Sequence, residues 1–418
     1  MNDTVMQSAP SRRRARGRRP QPDACFRELG TVPVEALRLA RLAVGVLSLG
    51  TGGRDLLFGS SRNEALFRLL LPVLDPASLL AWAERNAAIL EDDTIQGLVR
   101  LRDGRMFDWT DMDSDDARTL LKQVARRGPG ALRRQLAEAD QNGPVSPTVQ
   151  ALVDALQLNP TEQQILDFLA LHYHSDALRQ LLRTRPDVSA RSNRECLVEL
   201  LEVDSRALAA ALQGKAPLRA LGLLDYREHS DLEDFIRPSS LLRHVFDTEC
   251  PDSESLLSLL IEPVPTADWA LADFPHLRAA GDQLSEALAQ ASAGDVPGIN
   301  VLLYGPPGTG KTGFARALVA ESGLRGYLVR SSDEDGEGLS RRGRLSAFLL
   351  AQRLLARVGG SVLLFDEVED VFETRSGPFG WMPPVPENRQ KGWMNRTLEE
   401  NPVPAIWITN ETQGMDLA

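Results

Sequence analysis

Apolar residues recur at steps of three and four positions over the first part of the chain, which predicts helices. The pattern begins near residue 25 and continues to about residue 140, with Pro72 and Pro76 as breaks. We therefore predict a helical domain over residues 23–145. The residues that carry the pattern include Leu37, Leu39, Leu42, Val46, Leu66, Leu69, Leu70 and Leu74.

A second helical segment follows a linker. Residues 142–147, NGPVSP, are typical of a connection between domains. After them, Asn159 or Thr161 is placed to begin an amphipathic helix. Residues 195–226 then have the pattern of a helix, a short turn, a second helix, a glycine turn and a short strand. That order resembles a winged helix-turn-helix, so we predict a helical, winged-helix-like domain over residues 146–265.

The second helix of that unit decides between two functions. A helix that reads DNA presents Arg, Asn or Gln to the major groove. The helix predicted at about 204–213 consists mostly of Ala and Leu, with Arg206 and Gln213 as its suitable side chains. The composition favours a packing or partner-binding role over DNA contact.

The pattern changes after residue 250. Prolines at 251, 263, 265, 275 and 297 predict a connector over 251–298 that ends in one helix at about 277–293. Short apolar runs bounded by turn formers come next, and such runs are typical of buried strands. The runs are NVLLY at 300–304, SVLLF at 361–365 and VPAIWITN at 403–410.

A glycine-rich loop follows the first of these strands. It matches the phosphate-binding pattern G-x-x-x-x-G-K-[ST] in its required context, with a strand before it and helix formers up to Gly323 after it. Glycines allow backbone N–H groups to surround an anion, and the start of the helix adds its positive dipole end. We predict that Lys311 reaches the β- and γ-phosphates and that Thr312 binds Mg²⁺. The predicted loop comprises Gly305, Pro306, Pro307, Gly308, Thr309, Gly310, Lys311, Thr312 and Gly313.

Polar residues end the other two strands. Asp366 follows the run at 361–365 and is predicted to hold the metal, while Glu367 is predicted to activate a water molecule. Asn410 ends the third run, at the edge where ligands bind in open α/β sheets. We predict that Asn410 contacts the γ-phosphate or the attacking water.

Composition and charge add four expectations about the class of protein. The chain has 418 residues and a net charge of −11, which argues against a protein that mainly coats nucleic acid. Its three cysteines form no CxxC pair, which fits a cytoplasmic location, and no apolar run near the N-terminus has the ~20 residues of a membrane span. Residues 1–22 contain six arginines and are predicted to be a disordered tail.

The last third of the chain resembles the AAA+ ATPase superfamily. GPPGTGKT resembles its Walker A motif, LLFDE its Walker B motif and WITN its sensor 1. The resemblance implies an α/β P-loop NTPase core over 266–418, a parallel sheet between helices, preceded by mainly α-helical domains. It also implies ATP and Mg²⁺ as cofactors, catalytic roles for Lys311, Glu367 and Asn410, and an adenine contact near residues 273–277.

Two departures from the superfamily affect the expected activity. Its members commonly form rings in which a neighbour's arginine reaches the γ-phosphate, but this chain stops at 415–418 without that arginine, the fifth strand, the lid or sensor 2. With a sheet order of 5-1-4-3-2, strand 300–304 would lie at an uncovered edge. We expect a truncated product that hydrolyses ATP very slowly alone, since an arginine supplied in trans is worth ~10³–10⁵ in rate. The loop after 326–330 has no aromatic residue, which argues against a pore that grips polypeptide.

Two functions follow from these observations. The first is an ATPase that, in its complete ring form, remodels an unknown protein or nucleic-acid client. The alternative is a nucleotide-gated protein that binds DNA or a partner through residues 146–230 with little hydrolysis.

Overall fold

Helices make up most of the chain before residue 261. The computed structural model describes residues 26–49, 62–109, 112–126, 128–140, 146–183, 189–293, 296–331, 340–368 and 398–410. The predicted basic tail at 1–22 and the residues 411–418 lie outside this description. The helices are α1 (Val34–Ser48), α2 (Arg62–Leu70), α3 (Pro76–Arg85), α4 (Asp92–Arg102), α5 (Ser114–Ala125), α6 (Pro129–Asp140), α7 (Pro147–Leu156), α8 (Pro160–His174), α9 (Asp176–Leu182), α10 (Ala190–Leu201), α11 (Ser205–Ala211), α12 (Pro217–Ala220), α13 (Leu232–Phe235), α14 (Ser240–Thr248), α15 (Ser253–Leu260), α16 (Arg278–Ala293), α17 (Lys311–Ser322) and α18 (Arg341–Leu355).

The start of α8 follows directly from its sequence. The Asn159 side chain accepts hydrogen bonds from the backbone N–H groups of Thr161 and Glu162, at 3.0 and 3.1 Å. The Glu162 carboxylate accepts in return from the N–H of Asn159 at 3.0 Å, which completes a capping box. Pro160 occupies the first helical position, where its missing N–H costs nothing. Asn159, and not Thr161, is therefore the cap.

The elements between residues 190 and 226 occur in the predicted order. Helix α10 is followed by α11 and α12, and then by Gly222 in the left-handed region at φ +65°. Strand β1 (Leu224–Tyr226) comes next and pairs antiparallel with β2 (Ile236–Pro238). Helix α11 is shorter than the predicted 204–213. The limits of the winged-helix-like domain stay a prediction.

The connector predicted over 251–298 is wrong in its first part. Residues 253–260 form helix α15, which Asp252 caps by accepting from the N–H of Ser255 at 2.8 Å. Ile261–Pro263 form strand β3 directly after it. Pro251 precedes α15 and Pro263 ends β3. The prolines therefore mark the ends of these two elements, whereas the prediction took them as evidence that no helix or strand forms there. The helix predicted at 277–293 is confirmed as α16.

The C-terminal part of the described chain contains a mixed sheet of five strands. The remaining strands are β4 (Asn300–Tyr304), β5 (Arg325–Val329), β6 (Ser361–Phe365) and β7 (Ala405–Thr409). The order across the sheet is β3–β5–β6–β7–β4, with β5, β6, β7 and β4 parallel and β3 antiparallel to β5. This architecture confirms a P-loop NTPase core after a helical region. Among the described strands, β4 lies at one edge, as predicted.

Alternate residues of the two central strands face opposite sides of the sheet. Such alternation is expected because successive strand side chains point in opposite directions. One side packs against α18, where Phe348 lies 4.7 Å from the Trp407 ring, and it continues into the core of the N-terminal helices. The other side packs against α17 through Phe314. The first side presents Leu363, Phe365, Ala405 and Trp407, and the second presents Val362, Leu364, Ile406 and Ile408.

The helical region is joined to the sheet by backbone pairing and by side chains. Strand β3 adds three residues to the edge of β5, with Ile261 opposite Val329. Beyond the strand, the Arg330 guanidinium donates to the Ser258 carbonyl of α15 at 3.0 Å. Arg342 of α18 forms an ion pair of 2.9 Å with Asp225 in β1. The sheet therefore shares one packed structure with the region before it.

A buried histidine makes the stability of the helical region pH-dependent. His172 of α8 is 5% exposed, and its Nε2 lies 3.1 Å from the Glu233 carbonyl oxygen. Burial, and then the nearby Arg179 charge, lower its pKa to about 4. The unfolded chain, with an ordinary pKa near 6.5, binds the proton more readily. The contribution of neutral His172 to the free energy of unfolding is therefore full above about pH 6.5, and it is lost as the pH falls towards 4.

We expect His172→Gln to remove much of this pH dependence. Between pH 7 and pH 5, the loss of unfolding free energy should be smaller than in the wild type by about 2 kcal/mol, since one pKa unit corresponds to about 1.4 kcal/mol. Denaturant titrations at the two pH values measure this difference. The exposed His229 provides the control His229→Gln, which should keep the wild-type slope. Equal pH slopes for all three proteins would contradict the assignment.

Candidate functional site

The loop between β4 and α17 has a backbone that only glycine adopts readily. Gly305, Gly308 and Gly310 have φ values of +150°, +78° and +88°. An L-residue at these angles is strained because its Cβ approaches the neighbouring peptide. Gly310 is the N-cap residue of α17, which begins at Lys311. The glycines of the sequence pattern are therefore required by the conformation of the loop.

Lys311 joins the loop to the end of a different strand. Its Nζ donates to the carbonyl oxygens of Gly305 at 2.7 Å and Pro306 at 3.0 Å. It also donates to Oδ1 of Asn410 at 3.0 Å. Asn410 directly follows β7, and 99 positions separate the two residues in the chain. The structure thus brings together two of the predicted catalytic residues.

The next residue makes a second connection. The Thr312 hydroxyl lies 3.2 Å from Oδ2 of Asp366 and donates to it. Asp366 follows β6, and its Oδ1 accepts from the backbone N–H of Glu367 at 2.9 Å. Glu367 is exposed and has a left-handed backbone at φ +55°. The two predicted metal ligands, Thr312 and Asp366, are therefore in direct contact.

Strand register explains why these residues meet. In β4 and β7, Tyr304 lies opposite Thr409, and in β6 and β7, Phe365 lies opposite Trp407. The carboxyl ends of parallel strands lie at one edge of a sheet, where ligands bind in open α/β folds. The glycine loop, Asp366 and Asn410 each follow such an end.

The donors at this edge suit a highly charged anion and a divalent cation. The first N–H groups of α17 have no partner within the helix, and the helix dipole places partial positive charge beside the Lys311 ammonium group. The Thr312 hydroxyl and the Asp366 carboxylate provide hard oxygen ligands of the kind that Mg²⁺ prefers. A phosphate chain with its metal ion matches both halves of the site.

Comparison with known proteins agrees with this chemistry. The family model described as "ATPase family associated with various cellular activities (AAA)" matches residues 301–418. These residues are an AAA domain. The match includes all of β4 except Asn300, the glycine loop, Asp366 and Asn410.

Several relatives share the AAA domain. An uncharacterized AAA domain-containing protein of Schizosaccharomyces pombe is 26% identical over 252 residues, 55% of this chain and 31% of that protein. The ATPase family gene 2 protein homolog B of Bos taurus is 28% identical over 259 residues, 58% of this chain and 29% of that protein. The ATP-dependent zinc metalloprotease FtsH of Hahella chejuensis is 39% identical over 84 residues, 19% of this chain and 13% of that protein. The chain spans about a third or less of the length of each of these relatives.

The remaining predicted residues of the AAA domain also lie in the loop. The Thr309 hydroxyl donates to the Pro306 carbonyl at 2.9 Å, and Pro307 is exposed. Beside the loop, Phe274 packs edge-on against Phe314 at 5.4 Å between ring centres. A Cβ at Gly313 would lie 3.8 Å from the Phe274 ring. The segment 273–277 is thus adjacent to the loop, and its contact with adenine stays a prediction.

One residue of the AAA domain that contacts the site is absent from the sequence predictions. Arg344 of α18 donates to the backbone carbonyl of Asp366 at 2.6 Å and approaches that of Glu367 at 3.5 Å. Sequence motifs do not reveal such a residue, because its partners are backbone carbonyls 22 positions later in the chain and every residue carries a carbonyl. The sequence offered one signal, because Arg344 directly precedes the apolar residues that α18 buries, and a charged side chain on the apolar face of a helix requires a partner.

Proposed function

We propose that the AAA domain binds ATP with Mg²⁺ and hydrolyses it. The observation that carries the proposal is the pair of contacts at one sheet edge, Lys311 with Asn410 and Thr312 with Asp366. These contacts connect the three separate chain segments that a triphosphate site requires. The relatives support the proposal, since they are named as an AAA domain-containing protein and an ATP-dependent metalloprotease.

The loop fits a phosphate chain. A Cβ placed at Gly308 would meet no atom within 4 Å, so the space beside this glycine is open to a ligand. The loop residues 306–310 are exposed, and the start of α17 adds N–H donors and dipole. Lys311 would exchange its bonds with loop carbonyls for bonds with phosphate oxygens. In that position the ammonium group would neutralise charge on the β- and γ-phosphates.

The oxygen pair of Thr312 and Asp366 fits Mg²⁺. A hydroxyl and a carboxylate at contact distance form the kind of partial coordination set that this ion accepts, with water and phosphate oxygens completing it. When bound, the metal would neutralise charge that develops on the phosphates. The chain's contribution is to hold Asp366 beside the loop in advance.

Two residues are proposed to handle the attacking water. The Glu367 carboxylate is exposed next to Asp366 and would accept the proton of the water as general base. Asn410, which already contacts the Lys311 ammonium group, would orient the water or the γ-phosphate. In the proposed mechanism Asn410 positions the water, Glu367 accepts its proton, and neither residue forms a covalent intermediate.

The proposal extends to the assembly of the protein, its client and its compartment. AAA domains generally form oligomeric rings, so we propose that the protein assembles into a ring that remodels an unknown client in the cytoplasm. Cys196 and Cys250 are buried thiols that do not form a disulfide with each other, which fits a reducing compartment. Among the described residues, no helix combines the length and apolar composition needed to cross a bilayer.

The alternative is a nucleotide-gated binding protein. One observation favours it: helix α18 contacts both the β1–β2 hairpin, through Arg342 and Asp225, and the end of β6, through Arg344 and Asp366. A nucleotide at the sheet edge could then alter the hairpin with little hydrolysis. ATP-dependent DNA retention that weakens steeply with salt would favour a DNA-binding switch. ATP-driven unfolding of a tagged protein would favour remodelling.

Lys311→Ala should weaken ATP binding by about tenfold to a hundredfold. The lost charged hydrogen bonds correspond to about 1.5–3 kcal/mol, and each 1.4 kcal/mol changes the affinity tenfold. Titration with a fluorescent ATP analogue in the presence of Mg²⁺ measures the change. The exposed Lys215 provides the control Lys215→Ala, which should bind as the wild type does. Unchanged affinity in Lys311→Ala would show that the proposed site is wrong.

Glu367→Gln should separate binding from hydrolysis. The amide keeps the shape of the side chain but cannot accept the proton, so phosphate release should fall by ~10²–10⁴ while ATP affinity stays within about threefold. Phosphate release by Glu367→Gln is compared with that of the wild type, and the release measured for Lys311→Ala serves as the background. The exposed Glu286 provides the control Glu286→Gln. A parallel loss of affinity and turnover would contradict the role of a general base.

A further inference from the structure

Arg344 is a charged residue enclosed in the core beside the site. It is 4% exposed, and its guanidinium lies 4.6 Å from the centre of the Phe365 ring, the last residue of β6. Its Nη2 donates to the Asp366 carbonyl at 2.6 Å, and its Nη1 lies 3.5 Å from the Glu367 carbonyl. Burial of a charge is costly unless polar groups surround it, so these carbonyls account for its location.

The turn that Arg344 contacts is strained. Glu367 is a non-glycine residue at φ +55°, a conformation that is unfavourable for an L-residue because its Cβ crowds the neighbouring peptide. Such a conformation persists when the surroundings over-determine it. From the neighbouring strand in the sheet, the Ile408 carbonyl of β7 accepts a hydrogen bond from the N–H of Val368 at 3.1 Å. Arg344 and β7 therefore hold the turn from two directions.

The conformation of the turn determines where both carboxylates point. The Glu367 N–H donates to Oδ1 of Asp366, while Oδ2 of Asp366 faces the Thr312 hydroxyl at 3.2 Å. Rotation of the 366–367 peptide would move that N–H and release the Asp366 carboxylate. It would also redirect Glu367, because the φ angle fixes the direction of its Cα–Cβ bond relative to the strand.

We propose that Arg344 is a positioning residue that holds the 366–367 turn in the conformation needed to bind the metal and activate water. That Arg344 holds the turn is argued from the contacts alone. That the turn affects metal binding and hydrolysis rests on the proposed ATPase function. Helix α18, which carries Arg344, packs closely against the residues around β1. Arg342 pairs with Asp225, and a Cβ at Gly222 would overlap the Ser346 hydroxyl. The β1–β2 hairpin region is thereby connected to the turn through one helix.

Three variants test the proposal. Arg344→Met keeps an unbranched side chain of similar length over Phe365 but removes the donors. Arg344→Lys keeps one charged donor group and should restore part of the function. Arg353→Met removes an exposed arginine from the same helix and is the matched control.

The first measurement is independent of nucleotide. In hydrogen–deuterium exchange of the free chain, Arg344→Met should raise exchange at the Glu367 and Val368 amides by about tenfold or more, while the amides of β4 keep wild-type protection. The Lys variant should fall between these values, and Arg353→Met should match the wild type. Wild-type exchange at residues 367–368 in Arg344→Met would overturn the proposal. A uniform increase over all strands would also overturn it, because that result indicates general destabilisation.

The second measurement concerns function. ATP-analogue affinity is compared with Mg²⁺ and with EDTA, and the gain due to Mg²⁺ should shrink in Arg344→Met because Asp366 is no longer held. Phosphate release at saturating ATP and Mg²⁺ should fall about 10–100-fold, as expected when catalytic groups are misplaced by about 1 Å. An unchanged Mg²⁺ gain would overturn the proposal. A wild-type chain that binds no ATP would overturn the proposed function instead, and the exchange result would still decide whether Arg344 holds the turn.

Discussion

The parallel alignment of β6, β7 and β4 is the constraint on which the site depends. The register places Tyr304, Phe365 and Thr409, the last residues of the three strands, at one edge of the sheet. Each strand is followed at once by a functional group: a glycine loop, an acidic pair or an asparagine. Residues about 50 to 100 positions apart in the chain are thereby within hydrogen-bond distance, and no large rearrangement is needed to assemble them.

The sheet is stabilised by a core that it shares with the helices before it. One of its faces continues the apolar packing of the N-terminal region, and β3 extends its hydrogen bonding by a strand from that region. Pairing β3 with β5 covers the backbone of one sheet edge, which would otherwise expose unpaired N–H and C=O groups. The helical region therefore contributes directly to the stability of the five-stranded sheet, unlike a domain that is attached by a flexible linker.

The sequence was sufficient to predict functional residues that directly follow a recognisable strand pattern in the chain. The glycine loop, the acidic pair after β6 and Asn410 are each adjacent to an apolar run, so a strand and its functional end were recognised together. Strand β3 was missed because it has three residues, one of them proline, and its pairing partner lies more than 60 positions later. Arg344 was missed because its partners are backbone carbonyls, which every residue carries. Contacts of this kind become visible only when the fold places distant segments side by side.

The left-handed backbone at Glu367 explains why the turn requires support from outside. An apolar strand favours extended conformations up to its last residue, and glutamate has no intrinsic preference for a positive φ. If the backbone after Asp366 relaxed to an extended form, the local strain would vanish and the Glu367 N–H would leave Asp366. The hydrogen bonds from Arg344 and to Ile408 oppose that relaxation. Local preference and observed conformation disagree at this residue, and the proposed function accounts for the disagreement, because in it the turn directs two neighbouring carboxylates towards one ligand.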